Sequence, residues 1–201
     1  MSEFYIKKVT AKGSGMTDSS IDLQPGLNII KGRTNTCKTV IIKCINFCFG
    51  SKEKPFDESF GYTTIEISLH TPKGDIDISR ELAKNQVKVA MNVPSFSSST
   101  YDLKPSKKKV PLPILSDLLL ASIGIEGEYQ IVKNKDFGKR RLTWRTFSNI
   151  LLFHVSDIAK TDSIIEPEQE TEKTAMLSAL LFYYLEKTLL KQMLKQKKKS
   201  E

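Results

Sequence analysis

Apolar and polar residues alternate along "YTTIEISLH" (62–70), with Ile65, Ile67 and Leu69 in step, and again along "DIDISREL" (75–82), with Ile76 and Ile78. A period of two puts one side of a strand in a core and the other in water, and "TPKG" between the runs is turn chemistry, so this stretch predicts a β-hairpin. "VKVAMNV" (87–93) adds a third strand. Nearer the N-terminus, "FYIKKVTAK" is strand-like, "GSGMTDSS" is a turn and "IDL" resumes an extended run. "QPG" then delivers the chain into "LNIIK" (27–31), a short apolar run that reads as another strand.

Elsewhere the spacing is helical. "TVIIKCINFCFG" (39–50) predicts a helix buried on most sides and stopped by Gly50, and "LPILSDLLLASIGI" and "LTWRTFSNILLFHV" predict two more, the latter with Thr143 as N-cap. A last helix starts near Glu172. "AMLSALLFYYL" (175–185) is apolar almost all round, as a core helix would be, and beyond Glu186 the apolar positions thin to Leu189, Leu190, Met193 and Leu194 among lysines, a stripe of the coiled-coil kind. Pro94 to Pro113 carries four prolines, a serine run and a lysine cluster, and is expected to be a mobile surface loop.

Composition narrows the picture. A chain of 201 residues suits one domain with an extension, and 39% hydrophobic with 27% charged residues is ordinary for a soluble protein. No apolar run reaches the roughly 18 to 20 residues that span a bilayer, and the N-terminus lacks a signal layout, so the chain reads as cytoplasmic with no membrane partner. The formal net charge is +8, clustered in "KNKDFGKRRLTWR" (133–145), "KPSKKK" (104–109) and the tail. Such clusters mark surfaces that meet nucleic acid, or else solvated basic loops. Cys37, Cys44 and Cys48 are odd in number and crowded together, which fits a reducing compartment and buried small side chains better than a disulfide framework or zinc site.

The chemistry sits in "KGRTNTCKTV" (31–40). It follows the outline Gly-x-x-x-x-Gly-Lys-[Ser/Thr], with Gly32, Lys38 and Thr39 in place and Cys37 where the second glycine belongs. A phosphate loop works because successive backbone N–H groups and a helix N-terminus converge on an anion. Here Lys38 would reach the β and γ phosphates and the Thr39 hydroxyl would take a Mg²⁺ position. The second glycine leaves room beside the backbone, so a Cβ at Cys37 is expected to crowd the ligand or disfavour the needed dihedrals. A reactive thiol at a helix N-terminus is the rival reading of Cys37. An acidic residue closing an apolar strand, needed to hold metal and position water, is missing: "PILSD", ending at Asp117, reads better as helix. "KNKD" (133–136) lacks the intervening residue of a guanine-reading Asn-Lys-x-Asp.

The order of an N-terminal strand, a turn into "GLNIIKG", the phosphate loop, the helix "TVIIKCINFCFGS" and a hairpin ending in Arg80 resembles the N-terminal half of the ATPase head of SMC-like proteins, the group containing RecF and SbcC. "INFCFGS", "LTWRTFSNILLF" and "TAMLSALLFYYL" look most like bacterial SMC-like ATPases, and the resemblance covers about residues 3 to 190. It implies an α/β P-loop NTPase fold of the ABC/SMC head type: a mixed sheet, a β-hairpin layer, a helical lobe from about 113 to 160 and the start of a coiled coil. Residues 1–185 would be the half-head and 186–201 the first coil or a basic tail. In that family the signature and acidic Walker B motifs return from a far part of the chain, which accounts for their lack here. The resemblance implies ATP and Mg²⁺ as cofactors, Gly32, Lys38 and Thr39 as contacts with Cys37 beside them, and Asn35 and Thr36 lining the loop. The family places a glutamine near the metal, where this sequence offers His154, Ser156 and Asp157; Asp157 or His154 is assigned near that place.

The leading expectation is therefore an ATP-binding half-head acting on DNA in repair, chromosome maintenance or defence, partnered by DNA and by a C-terminal half-head or second head, with a homodimer as another arrangement. ATPase activity would require that complement. The alternative is a nucleotide-independent interaction or DNA-binding module with a degenerate loop.

Overall fold

Strand β1 (Tyr5–Lys12) turns back as β2 (Ser19–Asp22), and the two pair antiparallel with Val9 opposite Ile21. After the loop and helix α1 (Lys38–Cys48) the chain forms the expected hairpin, β3 (Thr64–Thr71) and β4 (Gly74–Glu81), in register with Ile67 opposite Ile78. β5 (Gln86–Met91) and β6 (Ser99–Asp102) complete a six-stranded sheet in the order β2-β1-β3-β4-β5-β6. The computed structural model describes residues 4–33, 37–91, 99–105, 112–134, 136–151 and 172–185, and the chain divides into two units, Met1–Glu126 and Gly127–Glu201.

Alternation decides the first unit. Ile65, Ile67 and Leu69 on β3, Ile76 and Ile78 on β4, and Val87 and Val89 on β5 are all essentially buried on one face, and α1 packs against β1, β3 and β4. The helix contributes Cys44, Ile45, Phe47 and Cys48 to that core. It ends as the sequence predicts. Gly50, at φ 99°, takes the left-handed position, its N–H donating to the Phe47 carbonyl and the Ser51 N–H to the Asn46 carbonyl, which satisfies the last turn. Arg80 of β4 secures the same end from below: its Nη1 donates to the carbonyls of Phe47 (2.5 Å) and Ser51 (2.8 Å), and its guanidinium lies 3.8 Å from the Phe47 ring centre. Burial pushes the Arg80 pKa down to about 10, so it stays charged at neutral pH.

The opposite face of the sheet is polar and laced by cross-strand pairs. Lys12 meets Glu66 at 2.7 Å, Lys7 meets Asp75 at 2.6 Å, and His70 Nδ1 lies 2.7 Å from the same Asp75 carboxylate. These partners hold the Lys7 and Lys12 ammonium pKa values up, and hydrogen bonds from Lys7 and His70 hold that of Asp75 down. A face whose lysines are matched by carboxylates in this way is a poor polyanion surface.

Three expectations need correction here. All ladders among the described residues are antiparallel, so no mixed sheet forms among them, and the sole parallel contact there is an isolated bridge between Asp102 and Ile114. The reason lies in 27–31, which is not a strand: it pairs with no described strand, and Leu27, Ile29 and Ile30 are 88%, 69% and 41% exposed. Lastly, part of the expected mobile loop 94–113 is ordered as β6, paired to β5 with Tyr101 opposite Val87. Helix α2 (Leu115–Ser122) forms within the predicted helical stretch.

The second unit contains a short hairpin, β7 (Gln130–Val132) with β8 (Lys139–Arg141), then α3 (Trp144–Leu151), within the predicted helix, and a helix α4 over 172–185. Ile131, Leu142, Trp144, Phe147, Ala175, Met176 and Ala179 are buried. Arg140 makes a two-pronged pair with Glu172 (2.7 and 2.9 Å), which holds the Glu172 carboxyl below the usual range. α4 departs from the all-round core helix expected of it: Leu177, Leu181, Tyr184 and Leu185 are half or more exposed. Their spacing of four, three and one is a narrow seam, and the other face alone is buried.

Candidate functional site

The chain enters the candidate loop through a turn held by one side chain. Asn28 Oδ1 accepts from the Gln24 N–H (2.9 Å), while its Nδ2 donates to the carbonyls of Gln24 (2.7 Å) and Gly26 (3.1 Å). The run 27–33 then leads to α1, which starts at Lys38.

The loop closes on itself through Lys38. Its Nζ reaches back from the first residue of the helix and donates to the carbonyls of Gly32 (3.0 Å) and Arg33 (2.5 Å), so one ammonium spans the two ends of the loop. Cys37 occupies the N-cap position at φ 57°, ψ 17°, the left-handed region. A glycine is the residue that takes this conformation without steric cost, and the sequence supplies cysteine. Its thiol is exposed. Thr39, in the first helical turn, is exposed too. No acidic residue lies in that turn and, among the described residues, no side chain caps the helix, so the positive end of the helix dipole faces the side from which an anion would come. These features fit a phosphate: a helix N-terminus, a lysine folded over the loop and a left-handed residue at its neck.

Asn35 and Thr36 lie outside the described residues, as do His154, Ser156 and Asp157 and most of the 104–109 lysine cluster. Gly32, Cys37, Lys38 and Thr39 are thus the predicted site residues that the structure brings together. Cys44 and Cys48 are on the far side of the helix in the core. Burial pushes the Cys44 thiol up to about 12 and raises that of Cys48 further, with Cys48 Sγ 3.7 Å from the Ile65 carbonyl, so both act as small apolar fillers. Among the described residues no group of His, Cys, Asp and Glu is placed to hold a metal ion, and no helix is long and apolar enough to cross a membrane.

Sequence reasoning missed two features. Asn28 as the brace of the entering turn was signalled by "QPGLN", where an Asn follows a Pro-Gly turn. The conformation of Phe137, exposed at φ 58° between β7 and β8, had a fainter signal in the Asn and Gly that flank an aromatic in a polar turn.

Comparison with known proteins supplies a family. The AAA domain matches residues 14–201. The chain is also similar to the DNA repair protein RecN of Aquifex aeolicus (strain VF5), at 28% identity over 156 residues, which covers 76% of this chain and 26% of that protein. The chain therefore spans about a quarter of the length of this curated relative.

Proposed function

The chain belongs to the AAA domain family, in its SMC-like P-loop branch, and from that premise we propose that it is the ATP-binding N-terminal half of an ATPase head that acts on DNA in repair or maintenance. The observation that carries the reading is the Lys38 ammonium folded across the loop onto Gly32 and Arg33 at the start of α1. Bound nucleotide would supply the anhydride whose cleavage drives a head cycle, and Mg²⁺ would neutralise its charge. In that state Lys38 would exchange the loop carbonyls for phosphate oxygens, the N–H groups of the first turn would face the anion, and the Thr39 hydroxyl would stand at the metal. Asn35 and Thr36 are proposed to line the loop, and Asp157 to stand near the metal.

The half-head reading draws support from two uncovered apolar segments. Leu27, Ile29 and Ile30, just before the loop, have strand-like spacing and exposed side chains, which suits pairing with strands of a C-terminal half, of a second head or of a second copy of the chain. The seam Leu177, Leu181, Tyr184 and Leu185 suits a helix packing beside α4, as at the start of a coiled coil.

Titration of the purified chain with a fluorescent ATP analogue, with and without Mg²⁺, tests the reading. Wild type is expected to bind and Lys38→Ala not. Equal binding by both, or by neither in a folded protein, overturns it and leaves a nucleotide-independent interaction module. Hydrolysis by the chain alone is expected to be close to background, for want of the signature and acidic Walker B motifs that a C-terminal half would bring. Robust turnover that Lys38→Ala removes would contradict the half-head.

A further inference from the structure

The turn 133–138 that joins β7 to β8 is built to hold one side chain out. The Lys133 N–H donates to the Gly138 carbonyl (2.8 Å), the Phe137 N–H to the Asn134 carbonyl (3.2 Å), and the Gly138 N–H to Asn134 Oδ1 (2.8 Å). A side chain at 138 would disturb that closure, since a Cβ there would stand 2.8 Å from Asn134 Oδ1, the acceptor of the Gly138 N–H, and 3.0 Å from Lys133 Cε. The result is Phe137 at φ 58° with 78% of its surface exposed. Glycine or asparagine takes such a backbone more cheaply, and an aromatic ring in water gains nothing from the core, so the residue is unfavourable on both counts for a mere turn. Strain of this kind points outward, to what the ring touches.

The base of the hairpin is fixed. The Val132 N–H donates to Ser178 Oγ (3.2 Å), Arg140 grips Glu172, and the Tyr129 ring centre lies 4.6 Å from that of Phe182. Around the tip, Arg140 and Arg141 are committed to Glu172 and Glu128. Lys133 and Lys139 are exposed and form no ion pair among the described residues. An exposed ring on a turn that also carries Lys133 and Lys139, neither ion-paired among the described residues, matches a polyanion that offers flat π-faces. Duplex DNA keeps those faces inside its stack, and an apolar protein groove would be met by apolar neighbours, whereas this tip carries Lys, Asn and Asp.

We propose that the β7–β8 tip is a contact for single-stranded DNA, in which the Phe137 ring stacks on an unpaired base while Lys133 and Lys139 neutralise the flanking phosphates. This rests on the reading that the chain acts on DNA, and it adds the strand state and the element that meets it.

Fluorescence anisotropy of the whole chain with a labelled single strand of roughly 16 nucleotides, and with the blunt duplex of the same sequence, separates the two claims. Phe137→Ala is expected to weaken single-strand binding roughly tenfold and Phe137→Trp to restore it, both leaving duplex binding unchanged. Lys133→Ala with Lys139→Ala is expected to flatten the salt dependence, lowering the slope of log K on log salt by about 1.4. Phe137 is too exposed for its replacement to unfold the unit, and circular dichroism checks this. If the chain binds single strands and Phe137→Ala matches wild type, the tip proposal is wrong while the DNA reading stands. Failure to bind either DNA removes both.

Discussion

Replacing Cys37 by glycine isolates the one position at which the loop departs from its pattern. Cys37 adopts φ 57°, and an L-residue in the left-handed region costs about 1 to 2 kcal/mol. Glycine removes that cost and adds back about 0.4 to 1 kcal/mol of unfolded-chain entropy, which leaves a net gain of about 0.5 to 1 kcal/mol. For a chain of this length the gain raises Tm by about 1 to 4 °C. Cys37→Ala keeps the Cβ and so keeps the strain; its Tm should stay near wild type. Nucleotide affinity reports something different. The left-handed backbone is adopted without ligand, so its cost falls on folding and not on binding. Any tighter binding of the ATP analogue by Cys37→Gly therefore measures the crowding of phosphate by the Cβ. Differential scanning fluorimetry of the three proteins, followed by the same titration, reads both quantities. If glycine lowers Tm while alanine raises it, Cys37 is not held left-handed and the account of the loop fails.

Arg80→Ala removes the donor to the Phe47 and Ser51 carbonyls and the contact with the Phe47 ring. Because Phe47 keeps its bond from Gly50, the loss is that of about one charged hydrogen bond plus packing, about 2 to 3 kcal/mol in urea unfolding; a change under about 0.5 kcal/mol, the range of ordinary surface substitutions, would refute the anchor. Glu172 contributes stability that is complete above its unfolded pKa of about 4.3 and is lost as pH falls through its lower folded value, since the Arg140 pair favours the carboxylate. Glu172→Gln should accordingly show a flatter fall in Tm below pH 5 or so, measured by pH-resolved melting, and an unaltered acid limb would dismiss the pair. Thiol labelling of the native chain should modify Cys37 at once and Cys44 and Cys48 only on unfolding, given their burial and raised pKa values. Rapid reaction at all three would place the helix elsewhere.

How much was legible follows from what periodicity encodes. The β3–β4 hairpin and α1 were readable because Ile65, Ile67 and Leu69, and the apolar run from Val40 to Phe49, each carry a period that only one element satisfies. Gly50 as the stop was readable from its lack of a Cβ. β6 was not: "STYD" has four residues, little alternation, a proline shortly before it and prolines and lysines after it, so its order comes from pairing with β5 and from the Asp102 N–H bonding the Pro113 carbonyl. The phosphate-loop residues Gly32, Lys38 and Thr39 were legible as a spacing. That Lys38 turns back onto its own loop, and that Arg80 seals the far end of the helix, depend on distant backbone that no local pattern records.

Apolarity in a sequence states that a segment is to be covered, and not by what. "LNIIK" and "AMLSALLFYYL" both read as core, and both carry large side chains that stand in water here. For a strand the shortfall is also one of hydrogen bonds, since its N–H and C=O groups need a strand beside them, and among the described residues 27–31 has no strand pairing although its side chains favour one. For α4 only the side chains are short of a partner, as the helix satisfies its own backbone, and it forms over 172–185 regardless. The same deficiency thus erases a strand but leaves a helix standing with a bare seam. A strand docking beside 27–31 would cover Leu27, Ile29 and Ile30 and stiffen the entry to the loop that ends at Lys38. Coverage of that segment would then be coupled to the geometry of the phosphate site, and nucleotide affinity is expected to rise when 27–31 is paired.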